Sequence, residues 1–400
     1  MSSGFSKARL GRMHRMMAGY VESGEVPGIV TLVSRRGEVH ADAIGAKALG
    51  GRDPIGRDTI FRIASMTKPM TAVATMILVE ECKLRLDEPV DRLLPELGSR
   101  RVLERIDGPL DETVPARRPL TVRDLLTFRM GFGMILDPRD ASPISRAIAD
   151  TQIQSLNPPP PHTPDEWIER LGSLPLMYQP GERWMYHTGS DVLGVLIARV
   201  SGQPFETFLK ERIFGPLGMN DTAFSVPPEK LDRLAACYRI NPETRALELL
   251  DDPKSSTWAH PPVFPAGGGG LVSTIDDYYA FGIMMLNGGR LGSERILSRH
   301  SVEAMTTDQL TVDQRAAAVF FPGYFESRGW GFGVSVVTRR DSVATSPGQF
   351  GWSGAFDTTW LSDPREQLVA ILMAQRMAFG PSPTGIRPDF CTAVYQAIDD

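Results

Sequence analysis

A chain of 400 residues, 42% hydrophobic and 23% charged, has material for one elaborate domain or two lobes, and its composition is that of an ordinary globular protein. A net charge of -5 at pH 7 argues against the basic surface that nucleic acid or an anionic membrane requires, so a small neutral substrate fits better. The three widely spaced cysteines, Cys82, Cys237 and Cys391, exclude a disulfide framework or zinc ribbon and read as buried free thiols.

The first residues contain no uninterrupted apolar stretch, which argues against a signal peptide or a membrane span and makes a cytoplasmic location the expectation. From Phe5 to Ser23 apolar residues recur at helical spacing, with Gly24 placed to end the helix. The β-rich runs Ile29 to Ser34 and Val39 to Ile44, parted by Arg35-Arg36-Gly37-Glu38, predict a hairpin. Ser65-Met66-Thr67-Lys68 then opens an apolar helix, since Pro69 is tolerated only near a helix start.

The middle of the chain predicts a mainly helical insertion. Thr163-Pro164-Asp165-Glu166 is a capping box with proline at the first helical position. The run Pro158 to Pro161 predicts a rigid loop, and Gly267 to Gly270 a place where backbone comes close to its neighbours. Near the C-terminus Trp330 to Thr338, Thr358 to Leu361 and Leu368 to Ala374 read as strands, and Asp389 to Ile398 as a closing helix. Both chain ends are therefore expected to share one sheet with helices on its faces.

Ser65 and Lys68 are the candidate catalytic pair, although the S-x-x-K spacing taken alone is better read as a serine capping a helix. Three residues make nearly one helical turn, so the amine and the hydroxyl lie on one face, and the first-turn N–H groups favour nearby negative charge. A serine nucleophile needs both. None of the six histidines forms a metal-binding spacing, so no metal and no other cofactor is expected. There is no G-x-S-x-G elbow and no phosphate loop.

Six segments follow in order: Phe61 to Lys68, Leu120 to Thr127, Tyr178-Gln179-Pro180-Gly181 with Trp184-Met185-Tyr186, Pro216 to Met219, Gly268 to Leu271 with Ser273-Thr274, and Gly351 to Gly354. With them the chain resembles, over nearly its whole length, the class C β-lactamases, penicillin-binding-protein-like proteins and family VIII carboxylesterases. The resemblance implies an α/β fold of β-lactamase/transpeptidase type, an antiparallel sheet flanked by helices. Residues 1–75 and 245–400 would form this α/β domain, residues 76–244 a mainly helical domain, and the site would lie between.

It also implies Tyr186 as the partner that relays the Ser65 proton, and the backbone N–H groups of Ser65 and Ala355 as an oxyanion hole. Where the lactamases carry Lys-Thr-Gly this chain resembles the esterases with Trp352-Ser353-Gly354, and Thr188 stands in place of their asparagine. Trp352, Ser353, Gly354 and Thr188 are the expected substrate-binding residues. An indole has one neutral N–H and a large apolar face, so an uncharged small-molecule ester is the implied substrate. The expected reaction is carboxylic ester cleavage through an acyl-enzyme on Ser65, with either Lys68 or Tyr186 as the base. The alternatives are a β-lactamase or D-amino-acid peptidase, an acyltransferase with an alcohol acceptor, and, least favoured, a non-catalytic penicillin-recognising binding protein.

Overall fold

The computed structural model describes residues 4–137, 139–155, 159–241, 243–318, 320–378 and 385–400. Of the proline run expected to form a rigid loop, Pro158 lies outside the described residues, while Pro159 to Pro161 belong to neither helix nor strand.

Helix α1 (Lys7–Glu22) buries Leu10, Met13 and Met17, whose spacing puts them on one face, and stops where Gly24 turns to φ 77°. Strands β1 (Gly28–Arg35) and β2 (Glu38–Gly45) pair antiparallel up to Arg35 opposite Glu38. The turn is thus only Arg36 and Gly37, at φ 51° and 83°, and this double positive φ matches the natural twist of a tight hairpin. The segments that complete the frame are helices α2 (Thr67–Glu80), α3 (Thr188–Ser201) and α4 (Ile275–Leu286), strands β3 (Arg328–Trp330), β4 (Ser335–Val337), β5 (Phe350–Gly354), β6 (Thr358–Asp363) and β7 (Leu368–Met373), and helix α5 (Ile386–Ala397).

One seven-stranded antiparallel sheet runs in the order β3-β4-β5-β6-β7-β1-β2, so the first and last parts of the chain meet where β1 pairs with β7. Alternate residues of these strands enter two separate cores. Leu32, Trp360 and Ile371 pack with Tyr278 and Phe281 of α4, whereas Val33, Leu361 and Leu372 pack with Leu10 and Met13 of α1 and Phe390 and Val394 of α5. Burying each such aliphatic side chain stabilises the fold by about 1.5–3 kcal/mol. All eight residues of β1 are buried because both faces are covered, Thr31, Ser34 and Arg35 along with the apolar ones.

Two expectations shift. The stretch from Trp330 to Thr338 is a hairpin and not a single strand: Gly331 to Val334 separate β3 from β4, with Gly333 at φ 74°. A Cβ on Gly333 would sit 2.5 Å from that of Ala72, so this turn packs directly on α2. The closing helix also starts earlier than Asp389, at Ile386, because Pro388 is acceptable in a first turn.

Helix α2 is buried from Thr67 to Leu78, its polar Thr67, Lys68, Thr71 and Thr75 included, as a helix at the centre of a large protein is. It packs against α3, and this pairing brings the start of α2 and the start of α3 together at one end of the sheet.

Candidate active site

Ser65 lies in a single 3-10 turn, Ala64–Met66, that runs into α2, one step before the helix in which the sequence placed it. Ala64 adopts φ 43°, a conformation L-residues rarely take. The turn is pinned by three hydrogen bonds: Ile63 N–H to the Leu271 carbonyl at 3.1 Å, Thr67 Oγ1 to the Ala64 carbonyl at 2.7 Å, and Tyr278 OH to the Met66 carbonyl at 2.9 Å.

Lys68 is fully buried, and its Nζ lies 3.0 Å from Ser65 Oγ, as the spacing of three residues predicts. The same nitrogen is 3.0 Å from His187 Nδ1 and donates to the Gly268 carbonyl. Burial pulls its pKa down to about 7 from an ordinary 10.5, with Asp191 opposing the shift. A neutral amine is therefore accessible near neutral pH.

Tyr186 projects from the segment between the helical region and α3. Met185 N–H donates to the Phe128 carbonyl at 2.7 Å, and Met134 N–H to the Tyr186 carbonyl at 2.9 Å, which locks this segment in place. The ring stacks on Trp184 at 5.6 Å and meets Phe128 edge-on at 5.7 Å. Its hydroxyl accepts from Trp352 Nε1 at 2.8 Å and interacts with Ser65, which lines the same cavity. Lys68 Nζ sits 4.6 Å from the ring centroid. Burial raises the phenol pKa, against smaller opposing effects of Ser65 and Trp352, so Tyr186 stays neutral where Lys68 titrates.

Strand β5 carries the remaining expected residues. The Trp352 N–H is taken by Tyr186, so only the apolar face of the indole is left for a ligand. Ser353 Oγ pairs with Thr359 Oγ1 at 2.7 Å. A Cβ on Gly354 would lie 2.3 Å from the Ile63 carbonyl, so only glycine lets β5 approach the Ser65 turn this closely. Ala355 follows, and its N–H and that of Ser65 have no hydrogen-bond partner among the described residues. Thr188 departs from expectation: it is fully buried behind the site, its hydroxyl accepts from Gln154 Nε2 at 3.0 Å, and it gives no surface to the cavity.

A cavity of about 170 Å³ opens beside Ser65, walled by Tyr186, Phe320, Phe321, Tyr324, Trp352 and the 353–355 backbone, with Ala378 and Arg387 at its rim. Arg387 lines this space, but it is engaged with Asp357 at 3.2 Å and the Ala378 carbonyl at 3.4 Å. Phe320, Tyr324 and Arg387 were not singled out from the sequence, because nothing in their local spacing ties them to Ser65. His187 and Asp191 were missed too, although their spacing of four at the start of α3 was a usable signal.

Among the described residues no group of three or more His, Cys, Asp or Glu could hold a metal, and no helix is long and apolar enough to cross a membrane.

The sheet, the buried α2 and a serine-lysine-tyrosine cluster at the start of α2 define the class of serine hydrolases and acyltransferases built on the β-lactamase/transpeptidase-like fold. A model of the Beta-lactamase family matches residues 13–388, and the chain belongs to that family. Protein Rv1367c of Mycobacterium tuberculosis is 38% identical over 399 residues, covering 94% of this chain and 96% of its own. Esterase EstB of Burkholderia gladioli is 31% identical over 376 residues, covering 89% and 87%. Among solved structures, EstCE1, described as a hydrolase with promiscuous acyltransferase activity, superposes with a TM-score of 0.79 at 24% identity, covering 97% of this chain and 99% of that one, and thus shares the fold.

Proposed function

We propose that the chain is a carboxylesterase that cleaves small uncharged esters through an acyl-enzyme on Ser65. The observation that carries this is the pairing of a lysine amine of depressed pKa, 3.0 Å from Ser65 Oγ, with a cavity walled by aromatic rings whose lining Arg387 is already paired with Asp357. Similarity to an esterase at 31% identity supports the same reading.

The neutral amine of Lys68 takes the Ser65 proton as Oγ attacks the ester carbonyl, and the carbonyl electron pair moves onto oxygen. The free N–H groups of Ser65 and Ala355 receive that oxyanion, a contribution of about 3–4 kcal/mol per donor in comparable sites. Tyr186, a neutral phenol beside Ser65, hands its proton to the departing alkoxide and is re-protonated through Lys68. Water entering by the same path repeats the sequence and releases the acid. Acyl groups of benzene-like bulk suit the cavity, since apolar cavities of about 150 Å³ accept benzene.

The test is turnover of p-nitrophenyl acetate, butyrate and octanoate beside nitrocefin, by wild type and Ser65→Ala. Ester turnover abolished by the substitution, with nitrocefin cleaved at least about 100-fold more slowly, supports an esterase whose binding energy favours uncharged acyl groups. Comparable nitrocefin rates would replace it with a lactamase reading.

A further inference from the structure

We infer that His187, held by Asp191, is a positioning residue that aims the lone pair of Lys68 at Ser65. The inference rests on the esterase reading only in taking Ser65 as nucleophile and Lys68 as its base.

The argument is one of counting donors and acceptors. A neutral amine has two N–H bonds and one lone pair. Lys68 Nζ has three neighbours within hydrogen-bond distance: Ser65 Oγ at 3.0 Å, His187 Nδ1 at 3.0 Å, and the Gly268 carbonyl. The carbonyl can only accept. If His187 Nδ1 also only accepts, both N–H bonds are used and the lone pair has one remaining direction, toward the Ser65 hydroxyl. After proton transfer the ammonium has three N–H bonds for the same three neighbours, so neither protonation state leaves a buried group unmatched.

Asp191 decides what Nδ1 does. Its carboxylate oxygen Oδ2 lies 3.0 Å from His187 Nε2, and Oδ1 accepts from Gly268 N–H at 2.7 Å. A carboxylate cannot donate, so the imidazole proton sits on Nε2 and Nδ1 presents a lone pair to Lys68. The ring of contacts closes on itself, because Gly268 gives its N–H to Asp191 and its carbonyl to Lys68. A Cβ on Gly268 would lie 2.9 Å from both Asp191 Oδ1 and His187 Cε1, which explains a glycine there.

The backbone is strained at the same residue. His187 has φ 87° and ψ -66°, and Thr188 N–H bonds the Tyr186 carbonyl at 3.3 Å, the geometry of a three-residue γ-turn that non-glycine residues seldom adopt. Glycine would relieve that strain, so a purely structural demand would favour glycine. A histidine with both ring nitrogens engaged points to a task for the side chain.

The strain supplies the test. Wild type, His187→Gly, His187→Asn and Asp191→Asn are compared for Tm, for kcat and KM on p-nitrophenyl acetate, and for the rate of Ser65 labelling by a fluorophosphonate. His187→Gly is expected to keep or raise Tm while kcat and the labelling rate fall about 30- to 100-fold and KM changes less than about threefold. His187→Asn, which tolerates positive φ and offers Oδ1 in place of Nδ1, is expected to recover to within about fivefold of wild type. Asp191→Asn turns an N–H₂ toward Nε2, drives the imidazole proton to Nδ1, and should lose as much as His187→Gly despite equal size. A His187→Gly protein within about twofold of wild type in kcat overturns the inference, as do Gly and Asn variants whose losses are equal and follow a lowered Tm. Should His187→Gly not fold, the Asn and Asp191→Asn variants decide by the same rates. Failure of wild-type Ser65 to label would instead overturn the esterase reading itself.

Discussion

The two walls of the Ser65 cleft are built on opposite principles. On one side Lys68, His187, Asp191 and Gly268 form a closed polar ring in which each contact fixes the next. On the other, Tyr186, Trp184, Trp330, Trp352, Phe320 and Tyr324 form an aromatic layer that meets the site through the Tyr186 hydroxyl, which accepts from the Trp352 N–H and interacts with Ser65. The polar wall sets the direction of one nitrogen. Burial lowers the Lys68 pKa on one side and raises that of Tyr186 on the other. On the proposed reading, reactivity comes from placing a well-ordered polar cluster against a dry surface.

Removing the base breaks the comparison most severely. Lys68→Met should lower kcat for an activated ester by about 10³-fold or more, as losses of a positioned base do. It should also stabilise the protein. Lys68 has its pKa lowered to about 7 in the fold from 10.5, so below pH 7 burial of the charged amine costs stability in full. That cost fades as pH rises from 7 to 10.5, where the unfolded chain binds the proton that the folded chain has released. The Tm gain of Lys68→Met should therefore be greatest in acid and shrink toward pH 10, which scanning calorimetry across that range would show; a Tm loss at pH 6 would contradict it.

Tyr186→Phe keeps the aromatic wall but removes its proton carrier, and should reduce kcat by about 10²- to 10³-fold with Tm little changed. In the wild type, kcat/KM should rise through a single ionisation near pH 7, following the neutral fraction of Lys68, and a profile flat from pH 6 to 8 would count against it. Trp352→Phe deletes one hydrogen bond to Tyr186 and retains most of the apolar face; stopped-flow rates should drop by about fivefold to tenfold. Ser353→Ala should change kcat by no more than about twofold, since that hydroxyl is already paired with Thr359.

The same contrast explains what was legible in the sequence. Ser65 and Lys68 lie within one turn, so their contact is a local fact, and the capping box that starts the helix Pro164–Ser173 was equally local. The β1–β2 hairpin and the pairing of both chain ends followed from alternation and from apolar runs too short for helices. The 330–338 stretch did not, because Gly331 and Gly333 reverse the chain where an alternating pattern reads as continuous. Thr188 was placed by its distance from Tyr186, but the strained turn at His187 sends the chain into α3 and buries it. The polar ring joins residues 68, 187, 191 and 268, and the aromatic wall joins residues 184 to 352; such contacts are set by how α2, α3 and the sheet dock, not by local spacing.

The central claim is that Ser65 carries an acyl group during turnover. Rapid acid quench of wild type with excess p-nitrophenyl butyrate, followed by peptide mass mapping, tests it directly. One butyryl adduct on the Ser65 peptide, formed within the first turnover and absent from Ser65→Ala, is the predicted result. Steady ester turnover with no adduct, or with an adduct on another residue, would contradict the account.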